Sequence, residues 1–206
     1  MRPPGDELVE LVPMTSTMVG QVTDIHQRAF PGFFLSALGS RFLRMYYGAL
    51  AEDPAAIALV ARRGDDVVGF VVGATNPRGY YRRLLRQRWL RFGVAALPAV
   101  VHAPSRITRV LRAMSHPGAN PEGRHVGGLF SIAVDPKLQS GGVGHRLIHR
   151  FVADARDRGV TAIYLTTDRD HNDSVNAFYL RNGFVCERTF VTREGRAMNE
   201  YWTYLQ

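Results

Sequence analysis

Leu129-Phe130-Ser131-Ile132-Ala133-Val134, then Asp135-Pro136-Lys137-Leu138, then Gln139-Ser140-Gly141-Gly142-Val143-Gly144, form an apolar run, a turn and a glycine-rich loop in immediate succession. The run suits a buried strand. After the loop, apolar residues recur at Val143, Leu147, Ile148, Phe151, Val152 and Ala155, the spacing of one helix face. Gly159 follows as a helix stop. The glycines let the chain turn tightly and let a bulky anion approach the backbone. The helix start adds unsatisfied N–H donors and the positive end of its dipole. Strand, glycine-rich turn and helix N-terminus together predict a cradle for a phosphate-bearing ligand. The loop lacks the Gly-Lys-Ser/Thr of a P-loop. It also fails the dinucleotide fingerprint, because His145, Arg146 and Leu147 follow Gly144.

A second block lies downstream: Asn172-Asp173-Ser174-Val175-Asn176-Ala177-Phe178-Tyr179-Leu180-Arg181-Asn182-Gly183-Phe184. It reads as an Asn, a short helix carrying a Tyr, and a Gly-Phe turn into a strand. Gln139-x-x-Gly142-x-Gly144 resembles the acyl-CoA pyrophosphate loop of the GCN5-related N-acetyltransferases. The second block resembles that family's next helix and turn. Together the blocks span residues 129–191.

The resemblance implies an acetyl-CoA-dependent N-acetyltransferase acting on a primary amine of a small acceptor. It implies that the backbone of Ile132, Ala133 and Val134 pairs with the pantetheine arm. A backbone N–H near Ile132 or Ala133 then polarises the thioester carbonyl. Gln139, Ser140, Gly141, Gly142, Val143 and Gly144 hold the pyrophosphate. Asn172 holds the pantetheine, caps its helix, or does both. Tyr179 becomes the general acid for the leaving thiolate, the alternative being an aromatic on a buried helix face. Some family members carry a glutamate near the positions of Gly127 and Gly128, and this chain departs from them there. His125, just before that strand, is the candidate base, since imidazole is the side chain most often used for proton transfer. Glu122, Asp168 and a water relay are the alternatives.

The order read along the chain agrees with that family. Residues 8–12 suit a strand, 15–30 and 36–51 helices, and 56–62 and 67–74 a hairpin about Gly64-Asp65-Asp66. Residues 127–134 suit a strand, 142–158 a helix, 161–167 a strand, 173–181 a helix, and 183–191 and 197–205 a final strand pair. The predicted fold is α/β, one mixed central sheet with helices on both faces. Residues 1–206 form one acyltransferase domain, with a basic helical insertion over residues 77–121 before the fourth strand.

That insertion concentrates the charge. The net charge is +8, yet residues 67–121 contain nine arginines and no Asp or Glu. Tyr80, Tyr81, Trp89 and Phe92 are interleaved with the arginines. Three readings stand: a solvated helix that also attracts anionic CoA, peripheral membrane contact through residues 80–92, or single-strand nucleic-acid binding. The last is not the expected partner. A non-catalytic acyl-CoA-binding, membrane or nucleic-acid module is the rival to the enzyme. One cysteine, Cys186, rules out an intrachain disulfide and fits a reducing, cytoplasmic setting. No run reaches transmembrane length, the N-terminus lacks a signal-peptide core, and no metal-ligand set is read. The aromatic stretch Ala29-Phe30-Pro31-Gly32-Phe33-Phe34-Leu35-Ser36 more loosely resembles transferases of bacterial polysaccharide clusters, which implies an amino-sugar acceptor.

Overall fold

The computed structural model describes residues 9–33, 35–78, 80, 83, 125–138, 141–192 and 195–206. Its strands are β1 (Glu10–Pro13), β2 (Ala56–Arg63), β3 (Asp66–Ala74), β4 (Val126–Val134), β5 (Ala162–Asp168), β6 (Val185–Val191) and β7 (Ala197–Tyr204). Its helices are α1 (Val19–Ala29), α2 (Ser40–Glu52), α3 (Val143–Asp157) and α4 (Asp173–Arg181). The seven strands make one sheet in the order β1-β2-β3-β4-β5-β7-β6. Only β4 and β5 pair in parallel. The predicted element order and mixed sheet are observed.

Two predicted helices begin later than the periodicity suggests. A 3-10 turn (Ser16–Met18) precedes α1, and Thr15 Oγ1 pairs with Thr17 rather than capping a backbone N–H. Another (Ser36–Leu38) precedes α2, because Gly39 sits at φ 84° between them.

Alternation assigns the two faces of the sheet. On one face α1 and α2 bury Val60, Phe70, Val72 and Ala133. On the other, α3 lays Val143, Leu147, Ile148, Phe151 and Ala155 over Ile57, Leu59, Val71 and Leu129, and Val152 of the predicted stripe is half-buried. Tyr179 of α4 joins that second face. Burying one such aliphatic side chain is worth about 2 kcal/mol, so both faces contribute to holding β2, β3 and β4 together.

The flanks of the basic segment behave as expected, since β3 and β4 are antiparallel neighbours. Of residues 77–121, only Pro77, Arg78, Tyr80 and Arg83 are described. The predicted helical insertion, with Trp89 and Phe92, otherwise lies outside the described residues. Tyr80 corrects one part of the membrane-surface reading. It is 2% exposed and packs on Phe130 of β4 at 5.3 Å between ring centroids. Its ring therefore belongs to the core. Among the described residues no helix is long and apolar enough to cross a membrane.

Candidate active site

β4 and β5 stay together for only three register pairs, Val126↔Ala162, Gly127↔Ile163 and Gly128↔Tyr164. Beyond Gly128 and Tyr164 the strands part. On its other side β4 keeps pairing with β3 through Val134↔Gly69. Asp135 N–H donates to Val68 O at 2.9 Å, which makes Asp135 and Val68 a hydrogen-bonded pair. Such pairs alternate along an antiparallel ladder. Ala133 therefore turns its backbone groups to β3, whereas Ile132 and Val134 turn theirs to the side that β5 has left. The structure thus separates the two oxyanion candidates: the N–H of Ile132 is on the open side and that of Ala133 is not.

Phe130 is an extra residue in this ladder, because Val72 opposes Ser131 and Gly73 opposes Leu129. A bulge of this kind bends the strand, and it sits where β4 begins to leave β5.

The glycine loop meets the same opening. Gly142 stands before α3 at φ 67°, a conformation that side chains rarely tolerate. A Cβ on Gly144 would lie 3.4 Å from the Phe178 ring and 3.7 Å from Val134 Cγ2. The first turn of α3 is therefore pressed between the end of β4 and α4, and its first N–H groups have no partner within the helix. Gln139 and Ser140 lie outside the described residues. Asp135 braces the approach to the loop: its Oδ1 accepts the Lys137 N–H at 3.1 Å, and its Oδ2 accepts Arg28 Nη2 at 2.6 Å. The Lys137 N–H, and after it Arg28, hold its carboxyl below the usual range.

Tyr179 packs among Phe178, Phe184 and Tyr201, with centroid separations of 5.4, 5.9 and 5.6 Å. Burial, reinforced by neighbouring Tyr201, pushes its phenol well above the ordinary value. The group therefore holds its proton at neutral pH. Asn172 does not cap α4 with its side chain. Its amide instead donates to Thr167 Oγ1 and Asp168 O, both at 2.9 Å. Asn176 donates to Asp168 O and Arg169 O at 3.2 Å and accepts Tyr201 Oη at 3.0 Å and Asn199 Nδ2 at 3.1 Å. This amide network ties α4 to the ends of β5 and β7. It escaped the sequence reading because its members come from three separate elements.

His125 lies apart from these residues. It precedes β4 at the end opposite the loop, and its carbonyl accepts the Thr161 N–H at 2.8 Å. Seven residue steps of extended chain, roughly 23 Å, separate it from Ile132. Asp168 is engaged by Arg196 through contacts of 2.7 Å to both oxygens. Glu122 lies outside the described residues. The absent strand glutamate also has a steric reason: a Cβ on Gly128 would stand 2.8 Å from Pro77 Cβ, and one on Gly127 3.1 Å from Val160 Cγ1.

A strand that parts from its neighbour beside a glycine-led helix start leaves unpaired backbone groups gathered at one place. The profile of the acetyltransferase (GNAT) family matches residues 19–184, and the chain belongs to that family. No curated protein matches it. Its fold is similar to that of the ribosomal-protein-S18-alanine N-acetyltransferase of Escherichia coli, at 14% identity and a TM-score of 0.60 over 97% of this chain and 95% of that one. It is also similar to an agmatine N-acetyltransferase in its apo form, at 13% identity and a TM-score of 0.62 over 97% and 100%. A third likeness is to the PaiA N-acetyltransferase of Thermoplasma acidophilum, solved with coenzyme A, at 11% identity and a TM-score of 0.57 over 94% and 98%. The protein is an acetyltransferase that uses acetyl-CoA.

Proposed function

We propose that this enzyme transfers the acetyl group to the primary amine of a small acceptor, an amino sugar. The parting of β4 from β5 beside the α3 N-terminus is the observation that carries the reading. Acetyl-CoA, when bound, supplies the thioester. In this reading Ile132 and Val134 offer backbone groups to the pantetheine, and the Ile132 N–H donates to the carbonyl oxygen as charge builds on it. Gly141, Gly142, Val143 and Gly144, with Gln139 and Ser140 before them, receive the pyrophosphate. Asn172 orients the pantetheine from the β5 side. Tyr179, which is protonated at neutral pH, gives its proton to the departing sulfur.

The acceptor approaches the other face, which carries Phe130 and Tyr164. Phe30 and Phe33, 6.0 Å apart at the α1–α2 link, give half-buried aromatic surface of the kind that stacks on sugar rings. No proton is routed through His125.

A library of primary amines that includes amino sugars tests this, with acetyl-CoA and detection of free thiol. Thiol release that needs an amine and is largely lost in Tyr179→Phe is expected. If acetyl-CoA binds but no amine stimulates thiol release, the transferase reading is lost; if only non-sugar amines do, the amino-sugar assignment is lost.

A further inference from the structure

Glu200 of β7 is a carboxylate inside the sheet's acceptor face, and no step above uses it. Its register partners are Thr166 of β5 and Arg188 of β6. Trp202 shares its face, since the two are separated by two positions, and Trp202 stands opposite Tyr164. Tyr164 is in turn opposite Gly128, the last β4 residue paired with β5. Glu200, Trp202 and Tyr164 therefore lie on the same face as Phe130 and lead from β7 to the opening.

The carboxylate side chain is 6% exposed and its ion-pair partner Arg188 is 52% exposed. Glu200 Oε1 accepts the Trp202 indole N–H at 3.1 Å, and Oε2 accepts Arg188 Nη2 at 2.8 Å. Trp202 stacks on Tyr164 at 5.3 Å and lies near-parallel to Tyr204 at 6.3 Å. The Arg188 guanidinium also lies over the Phe190 ring at 5.0 Å. A desolvated carboxylate walled by aromatic rings is the chemistry that holds an organic cation. Here a cation already occupies it, supplied from the solvent side by an exposed side chain of the edge strand. The charge is felt at the opening: burial, and after it Glu200, push the Tyr164 phenol up to about 12.

We propose that Glu200 is the anchor for the acceptor's ammonium group and that Arg188 covers it until a cationic acceptor displaces the guanidinium. The exchange is one cation for another on the same carboxylate, so the buried charge is paired throughout. Acceptors would be recognised as protonated amines on Glu200, pass along Trp202 and Tyr164 toward the thioester, and give up the extra proton to solvent on leaving the carboxylate, so that the neutral amine attacks. Neutral analogues of the same shape would be rejected. The inference rests on the acyl-transfer reading for its purpose, but its test does not depend on turnover.

The probes are 2-phenylethylammonium with 2-phenylethanol as its neutral match, and glucosamine with glucose. The full-length protein saturated with CoA is titrated, and the Trp202 indole N–H resonance is followed, assigned by its loss in Trp202→Phe. The expected result is a saturable shift with an ammonium and none with its neutral match. Glu200→Gln keeps the side-chain shape and should weaken the ammonium at least roughly tenfold. Arg188→Met removes the competitor and should tighten it roughly fivefold. Equal shifts from cation and neutral match, or wild-type affinity in Glu200→Gln, would overturn the anchor. If Glu200→Gln does not fold, Arg188→Met decides: unchanged or weaker ammonium binding overturns it. Binding of 2-phenylethylammonium without glucosamine keeps the anchor and removes the amino-sugar acceptor. Retained ammonium binding with no amine-dependent thiol release would keep the anchor while the transferase reading fell.

Discussion

β1 to β4 and β5 to β7 are two unequal halves of one sheet. The first half is covered on both faces, by α1 and α2 on one and α3 on the other. Its β3 strand is buried along nearly its whole length. The second half has α4 on the α3 face, while the small apolar group on its other face is made of strand residues, Val126, Ala162 and Trp202 with Tyr164. Its outer strand β6 leaves Val185 60% and Val191 64% exposed. The halves meet through three register pairs. The difference teaches that the first half is the more evenly covered, and that the candidate site lies at the seam. A strand held firmly by β3 can afford to leave its other edge bare, and that edge is what a peptide-like arm can pair with.

The largest expected effect breaks the firm half. A Cβ on Gly73 would lie 2.2 Å from Gly128 O and 2.5 Å from Phe151 Cζ. The backbone oxygen cannot yield without moving β4, so Gly73→Val should cost about 4 kcal/mol in urea denaturation. A loss near zero would mean that β3 and β4 separate easily and that the two halves are alike.

A pH titration probes the same half from within. His26 is fully buried, donates to or accepts from Tyr47 Oη at 2.6 Å, and is ringed by Phe30, Phe33 and Phe70. Burial lowers its pKa from 6.5 to about 4. The unfolded chain therefore takes up the proton first as pH falls. The stabilisation is complete above 6.5, declines between 6.5 and about 4, and levels off below. That gap corresponds to about 3 kcal/mol. His26→Gln should flatten this part of the stability profile; the same acid slope in the variant would place its origin elsewhere.

Two changes at the seam should spare the fold. Tyr179→Phe keeps the ring contacts and removes the proton, so turnover should fall roughly a hundredfold with acetyl-CoA affinity unchanged in calorimetry. Wild-type turnover, where chemistry limits the rate, would leave Tyr179 as packing. The smallest effect is expected at Gly142, whose φ of 67° disfavours any side chain. Gly142→Asp also brings a negative charge to the α3 N-terminus and should weaken acetyl-CoA roughly tenfold or more. An unchanged affinity would move the pyrophosphate away from this loop.

The local elements were legible because each is written by nearby residues. The stripe from Val143 to Ala155, Gly159 at φ 77° after α3, and the hairpin turn with Gly64 at φ 58° all follow from periodicity and backbone preference. The family blocks likewise placed the glycine loop before α3 and Tyr179 on the short helix α4. What stayed hidden depends on which strand lies beside which. Glu200 and Tyr164 are far apart in sequence and share a face only because β7 inserts between β5 and β6. His125 looked adjacent to the site in sequence, but an extended strand carries it to the far end. Periodicity reports which face a residue occupies, since that is set by its own backbone. It says nothing of strand order or of where two strands part, since those follow from packing and pairing between segments distant in the chain.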